Sequence, residues 1–526
     1  MVAQTTVAGL LRDRAAERPD KLFLWSGDRR RTYADMDAAS DRVAGGLAEL
    51  GVAPGDRVAV LSNNRMEFVE LFFACAKLGA VIVPTNVFLK GDFLHYQLGD
   101  CEAETIVVDG PGAATVAEVA SELPSLKCAV ALDDATVAGV DTVPFSRLDA
   151  SPAAGDVGPA SLLSIMYTSG TTGMPKGCML AHGWYVNGAR AGTDMMGYGG
   201  DDVLYTALPL FHAWAQGMVT GALLHGLTAV IDPMFSAHSV VERIAETNAT
   251  TFAGVGMMGM AMLASPESAR DREHRLRAAL MIPFAPTDQQ RFKERYGATV
   301  LAQLYGQTEC GAISYGRLTD PGDPASVGSP GINVDVRVVD DDDREVESGE
   351  LGEVVVRPKS PNALYQGYWR KPEATVEAWR NLWHHTGDYG RMNETGELFF
   401  VDRKKDALRR RGENVSSIEV EIAITQHPKI AEAAVHAVPS PMTEDDVKAC
   451  LVLAPGESVT PDELFPFFKE KLPYFAIPRF VEVVPELPRN ATMRVMKHLL
   501  RDRGVTDDTW DFDALGLSVR PEDRRS

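Results

Sequence analysis

The sequence predicts an α/β protein. A large N-terminal part is built on parallel or mixed sheets with helices on both faces; a small β subdomain and a compact C-terminal α+β domain follow. Three observations carry this. Apolar runs of strand length alternate with helical periodicity to about residue 260; the texture changes to strand, turn, strand between Ser326 and Val356; and the charged stretch Asp402–Gly412 ends the long body. At 526 residues the chain also exceeds what one hydrophobic core usually serves.

The elements follow in order. Thr6 can cap a helix whose apolar face includes Val7, Leu10 and Leu11. The breaker Gly51–Asp56 precedes Arg57-Val-Ala-Val-Leu61, a buried strand; Glu67–Leu78 has helical periodicity, and Ala80–Pro84 is a second strand. This βαβ order repeats toward Thr105–Asp109. Val334–Val339 and Leu351–Arg357, joined by the acidic turn Asp340–Asp343, read as antiparallel strands. Beyond the charged stretch, Ile418–His427 is helical, Ala433–Val438 and Val447–Leu453 are strands, and Pro461–Leu472 is a helix. The polar, acidic tail after Arg501 is expected to be partly disordered. No internal repeat is present.

Composition excludes several classes. A hydrophobic fraction of 45% with 24% charged residues is that of a globular protein. The net charge of −21 argues against a nucleic-acid partner, which calls for a basic face. Two basic triplets depart from that balance: Arg29–Arg31 reads as solvated surface, and Arg409–Arg411 as either surface or a contact for a ligand's phosphates. Cys75, Cys101, Cys128, Cys178, Cys310 and Cys450 lack the paired spacing of a disulfide framework or zinc site. Without a signal-peptide pattern or an apolar run of membrane-spanning length, a cytoplasmic protein with no membrane partner is expected.

The residues with most chemical content form the loop Tyr167-Thr-Ser-Gly-Thr-Thr-Gly-Met-Pro-Lys-Gly177, which follows the strand-like Ser161–Met166. Gly170, Gly173 and Gly177 let the backbone approach a ligand; Thr168, Ser169, Thr171 and Thr172 add hydroxyls; Lys176 brings a mobile charge. Consecutive N–H groups in such a loop can cradle an anion, so the loop reads as a triphosphate site. It lacks the Gly-Lys-Ser/Thr of the common phosphate loop. Four further motifs join it. Leu208–His212 places an imidazole after an apolar run, and Tyr305-Gly306-Gln307-Thr308-Glu309 closes a strand with a hydroxyl and a carboxylate. Trp383–Asp388 offers a carboxylate suited to a ribose diol, and Val401–Asp406 sits at the domain junction.

In this order and spacing, these motifs resemble the adenylate-forming superfamily: acyl-CoA synthetases, peptide-synthetase adenylation domains and beetle luciferases. The resemblance runs from Tyr33 to Leu500. Within it the chain is most similar to crotonobetaine/carnitine–CoA ligase-like enzymes, through Asp402-Arg403 with Gly412–Ser416, His274–Arg277 and Leu487–Asn490. The resemblance implies an N-terminal adenylate-forming domain over 1–402 and a mobile C-terminal lid over 403–526, with a hinge near Lys405. It implies an AMP-forming acid–CoA ligase: a carboxylate attacks the α-phosphorus of ATP, and the CoA thiol then displaces AMP. Thr168, Ser169, Thr171, Thr172 and Lys176 would hold the β- and γ-phosphates, with Gly170 and Gly173 shaping the loop. Thr308 would take the α-phosphate, and Glu309 Mg²⁺. Asp388 and Arg403 would hold the ribose, Tyr305 would stack on adenine, and Gly306 and Gln307 would adjoin the nucleotide. His212, Gln216, Gly256, Met257, Phe284 and Gly306 would line the acid pocket, the two glycines giving room. His182, His384 and His385 are read as structural.

Two segments depart from the family. Met281-Ile-Pro-Phe-Ala-Pro286 replaces the usual Gly-Ala-Pro, so Phe284 reshapes a pocket wall. In the lid, Met493-Arg494 stands where Gly-Lys belongs, so Arg494 takes the place of the adenylating lysine, and Lys497 is the nearest lysine. These changes suit a second reading, a diazotase-like enzyme that activates nitrite with ATP for transfer to an aryl amine. A third reading is a nucleotide binder without turnover, against which Lys176, Glu309, Asp388 and Arg403 count. The sequence leaves the acid and the oligomeric state open.

Overall fold

The computed structural model describes residues 5–168, 174–404, 408–410, 413–440, 445–489 and 495–518, without the side chains of 409, 413 and 414. Two seven-stranded sheets form the body. The first runs, from edge to edge, Asp141–Pro144, Cys128–Ala131, Thr105–Val108, Arg57–Leu61, Val81–Pro84, Leu162–Thr168 and Lys176–Ala181. The second runs Thr299–Leu301, Ala278–Ile282, Thr251–Val255, Val203–Thr206, Thr228–Ile231, Leu22–Ser26 and Arg29–Thr32. All neighbours are parallel except the last pair in each sheet. A parallel strand buried on both faces is an unbroken apolar run, and that is why Arg57–Leu61 and Thr105–Val108 were legible in the sequence. The alternation extends beyond residue 260, because Ala278–Ile282 and Thr299–Leu301 continue the second sheet.

The main core draws Val58, Val60 and Ile82 from the first sheet and Phe23, Leu204, Ile231 and Leu280 from the second. The helix Met66–Leu78 belongs to the same core and is buried all round except at Glu67. Thr6 caps the helix Val7–Glu17 through its side chain, accepting from Gly9 N at 2.9 Å.

After the sheets, a short meander (Leu304–Gln307, Gly311–Tyr315, Ser329–Pro330) leads into a four-stranded antiparallel sheet: Val334–Val339, Gly352–Pro358, His384–Met392 and Leu398–Arg403. The C-terminal unit has its own core, including Val435, Leu451, Phe468 and Val481. Its sheet orders Ile430–Pro439, Asp445–Leu453, Phe480–Val483 and Thr509–Asp511, and the helices Ser417–Ile424, Pro461–Lys471 and Lys497–Arg503 accompany it.

The structure sharpens three expectations. In the acidic tail, residues 502–518 pack on the C-terminal unit: Phe512 (1% exposed) enters the core and Asp511 forks against Arg479 at 2.9 and 3.1 Å. Arg410 is neither open surface nor a free phosphate-binding group: it is buried, donates to Ile477 O at 2.6 Å and pairs with Asp446 at 3.1 Å. At the edge strand Arg29–Thr32, Arg29 and Arg30 are exposed, as a solvated triplet should be, while Arg29 and Arg31 pair with Glu67 and Glu70 and Arg30 lies over the Trp25 ring at 3.7 Å.

Candidate active site

The glycine- and threonine-rich loop joins two strands of a hairpin. Thr168 ends one strand and Lys176 begins the next, paired in register, with Thr168 Oγ1 donating to Lys176 O at 3.3 Å. Ser169, Gly170, Thr171, Thr172 and Gly173 lie outside the described residues. The edge strand Lys176–Ala181 is covered by residues 366–369: Gln366 N donates to Met179 O at 2.8 Å, Met179 N to Gly367 O at 3.0 Å, and Trp369 N to Gly177 O at 2.8 Å. That backbone pairing delivers Tyr368 to the site. Lys176 Nζ sits 4.4 Å from the centre of the Tyr368 ring, and Tyr368 OH donates to Glu309 Oε1 at 2.9 Å. Tyr365 N donates to Glu309 O at 2.7 Å, so both the backbone and the carboxylate of Glu309 are held. Burial, then the Glu309 charge, pushes the Tyr368 phenol far above its ordinary range, and Tyr368 therefore stays a donor.

A second cluster gathers around Asp388, which is 5% exposed. Its Oδ2 accepts from Tyr305 OH at 2.6 Å and Gln307 Nε2 at 2.8 Å; Arg403 Nε lies 3.9 Å from Oδ1. Register explains the last contact, since Asp388 and Arg403 are opposite each other on adjacent strands. Tyr305 is 9% exposed and its ring centre lies 5.7 Å from that of Phe400. The two clusters meet at His384, whose ring centre is 5.3 Å from that of Tyr365 and whose Nε2 is 3.4 Å from Gln307 Oε1. Burial first, then His385 and Lys176, lowers the His384 pKa to about 3. The imidazole is neutral at pH 7, and a proton on Nε2 satisfies Gln307 Oε1. Tyr365, Tyr368 and the bridging position of His384 were missed in the sequence; the signal was the aromatic run Tyr365-Gln-Gly-Tyr-Trp369.

The acid-pocket residues divide. His212 is exposed at the start of the helix Ala213–His225, and Met257 is 74% exposed at the start of Gly256–Ala264. Both follow the C-terminal ends of parallel strands, where open α/β sheets place ligands. Gln216 instead is buried, donating to Leu210 O and accepting from Tyr185 OH, both at 2.7 Å; it braces the loop that carries His212. The room expected at Gly256 and Gly306 is filled by backbone: a Cβ would lie 1.7 Å from Pro283 O at the first and 2.3 Å from Gly311 O at the second. Phe284 is buried, with its ring centre 6.2 Å from that of Phe292, and the site of a Cβ on Gly259 lies 2.8 Å from the Phe284 ring. Thr308 is half-buried between the two clusters in sequence. Arg494 and Lys405 lie outside the described residues. Lys497 is held inside the C-terminal unit, at 2.5 Å from Ser417 Oγ and 2.7 Å from Glu421 Oε1.

Among the described residues no group of three His, Cys, Asp or Glu side chains is poised for a metal ion. Glu309 nevertheless fits Mg²⁺, which is commonly held by one carboxylate together with substrate phosphates. Tyr368 occupies Oε1 and Lys176 stands over the same ring, so the carboxylate is oriented and phosphate-binding charge is adjacent.

Known proteins resemble this chain over most of its length. The model of the AMP-binding enzyme family matches residues 11–369, and that of the AMP-binding enzyme C-terminal domain matches residues 419–494. Feruloyl-CoA synthase from Amycolatopsis sp is 34% identical over 501 residues, covering 93% of this chain and 97% of that one. Crotonobetaine/carnitine–CoA ligase from Salmonella typhi is 30% identical over 489 residues, covering 89% and 93%. The crystal structure of the anthranilate CoA ligase AuaEII with anthranoyl-AMP superposes with a TM-score of 0.84 at 26% identity, covering 96% of this chain and 98% of that one. The chain belongs to the AMP-binding enzyme family. Within that family it is an AMP-forming ligase of the acyl-CoA synthetase type, with ATP, CoA and a carboxylic acid as its substrates. Among the described residues no helix is long and apolar enough to cross a membrane.

Proposed function

We propose that this ligase activates an apolar carboxylic acid, aryl or of medium length, as its adenylate and passes the acyl group to CoA. The observation that carries the reading is the joining of the Lys176–Tyr368–Glu309 cluster to the Tyr305–Gln307–Asp388–Arg403 cluster through His384. One cluster has the charges for a triphosphate, the other a carboxylate and a cation for a ribose diol. Apolar character in the acid is supported by three methionines near the C-terminal ends of the second sheet's strands: Met234, Met257 and Met260 are 80%, 74% and 43% exposed. Two similar proteins carry aryl acids in their names, ferulate and anthranilate.

In this reading Thr168, Ser169, Thr171, Thr172 and Lys176 bind the β- and γ-phosphates, and Thr308 the α-phosphate. Asp388 and Arg403 orient the ribose. When bound at Glu309, Mg²⁺ would supply positive charge against the phosphates. The acid oxygen bonds to the α-phosphorus as the bond to the β-phosphate breaks, and pyrophosphate leaves with the electron pair. The CoA sulfur then bonds to the acyl carbon, the thiol proton is released, and AMP departs. Residues 1–402 form the nucleotide-binding part and 403–526 the lid, hinged near Lys405.

The test is a panel of aryl, branched and medium-chain acids plus nitrite, with and without CoA and aryl amines. Nucleotides are separated by chromatography and acyl products weighed by mass spectrometry. AMP, pyrophosphate and a CoA thioester from an apolar acid are expected. ADP with phosphate would overturn the reaction class, and AMP formed on nitrite with a diazo product would replace the acid by nitrite.

A further inference from the structure

A buried polar chain crosses the seam between the body and the C-terminal unit. Asp402 lies in the body strand Leu398–Arg403, one residue before Arg403, and is 1% exposed. Its Oδ2 accepts from Ser417 N at 2.6 Å and Ser417 Oγ at 2.7 Å, and its Oδ1 accepts from Arg403 N at 2.7 Å. Ser417 Oγ in turn accepts from Lys497 Nζ at 2.5 Å, and the same ammonium meets Glu421 Oε1 at 2.7 Å. Val435 N fixes that Glu421 oxygen at 2.7 Å. Ser416 Oγ donates to Val401 O at 2.8 Å alongside. These three hydrogen bonds join the body strand Leu398–Arg403 to Ser416 and Ser417 of the C-terminal unit.

Each link restricts the next. A serine hydroxyl has one proton to give. An ammonium seated on its lone pair turns that proton toward Asp402, and a buried carboxylate needs the donor. Without the cation the hydroxyl is free to rotate, and Ser417 N alone is sure to hold Asp402 Oδ2 from the C-terminal side. Lys497 also follows directly on Val495 and Met496, of which Val495 forms an isolated bridge with Arg489 and Met496 N donates to Pro488 O at 2.8 Å. The cation therefore ties that bridged pair to the strand carrying Arg403.

We propose that Lys497 is a positioning residue: through Ser417 it latches Asp402 and holds the C-terminal unit, the lid hinged near Lys405, in the placement seen in this structure, which then serves one half-reaction better than the other. This rests on the two-step reading above. Lys497 then acts without touching either substrate, and its loss alters the balance between the steps rather than the chemistry of both.

The test compares wild type with Lys497→Met, Lys497→Arg, Ser417→Ala and the Lys497→Met/Ser417→Ala pair. Adenylate formation, and thioester formation from pre-made acyl-adenylate, are measured separately by rapid quench. Tryptic cleavage between Lys404 and Arg411, which carries several basic residues, is followed by mass as a reading that needs no substrate. Lys497→Met is expected to change the ratio of the two rates by about tenfold and to speed cleavage by a similar factor. Lys497→Arg should restore most of both, since a guanidinium can meet Ser417 and Glu421 together. Ser417→Ala should reproduce the Lys497→Met effect, and the double variant should add little to either. An unchanged ratio with unchanged cleavage overturns the latch, and so do fully additive effects of the two substitutions. If wild type forms no acyl-adenylate from any acid, the functional reading fails, and faster or unchanged cleavage of Lys497→Met still decides the latch.

Discussion

Glu309 is held at two points, its carbonyl by Tyr365 N and its carboxylate by Tyr368 OH. Orientation of this kind matters most where charge develops during reaction. Glu309→Gln is expected to lower kcat by about 10²–10³ while calorimetric ATP affinity changes much less. Tyr368→Phe keeps the ring beneath Lys176 and removes only the hydroxyl, so its loss in kcat should be smaller, about 10- to 100-fold. Steady-state kinetics and calorimetry on the two variants check this ordering. A Tyr368→Phe enzyme with wild-type kcat would show that the hydrogen bond to Glu309 has no catalytic weight.

At the scale of elements, close backbone approach shapes the site. The strands Leu304–Gln307 and Gly311–Tyr315 pair with a register shift between Tyr305 and Gly306, and at that point a side chain on Gly306 would meet Gly311 O at 2.3 Å. Tyr305 and Gln307 flank the shift and both donate to Asp388. Gly306→Ala should therefore push the strands apart, at about 1–3 kcal/mol of stability, and pull both donors off the carboxylate. The expected readings are a lower melting temperature and a raised KM for ATP. Wild-type KM for ATP in a folded Gly306→Ala protein would mean that the bulge does not set the position of Asp388.

For the whole molecule, buried neutral imidazoles determine how it meets acid. Burial is the leading cause of the lowered pKa of His182 (about 4), His384 (about 3) and His436 (about 4). In the unfolded chain each titrates near ~6.5. The folded values lie below the unfolded ones, so below that pH the unfolded state binds protons that the native state refuses. The stability is present in full above about pH 6.5 and is lost as pH falls toward 4, at about 1.4 kcal/mol per unit for each histidine. Melting temperature should be level from pH 7 to 8 and fall between 6.5 and 5. His436 contacts Ala437 O at 2.9 Å through Nδ1 and is fully buried in the C-terminal unit; His436→Gln should flatten that fall. An equal slope in the variant would exclude His436 as a source.

Local features were legible because local rules produce them. The apolar strands, the cap at Thr6, two helices of the C-terminal unit (Ser417–Ile424 and Pro461–Lys471) and the order of the five motifs all follow from neighbours in sequence, as does the membership of the AMP-binding enzyme family. The site's support was not legible in the same way. Tyr368 meets Glu309 across 59 residues and Tyr305 meets Asp388 across 83, contacts set by strand register and by a segment laid along a sheet edge. Periodicity reports which face of an element is apolar, not which distant backbone passes close to it. Gly256 and Gly306 therefore suggested open space where backbone stands, Gln216 suggested a ligand contact where it braces a loop, and the polar tail gave no sign that Phe512 had a core to enter. Residue types and their order determined the fold class and the chemistry; tertiary packing decided which of those side chains were used up in holding the others, because a polar group's role depends on the partner brought to it.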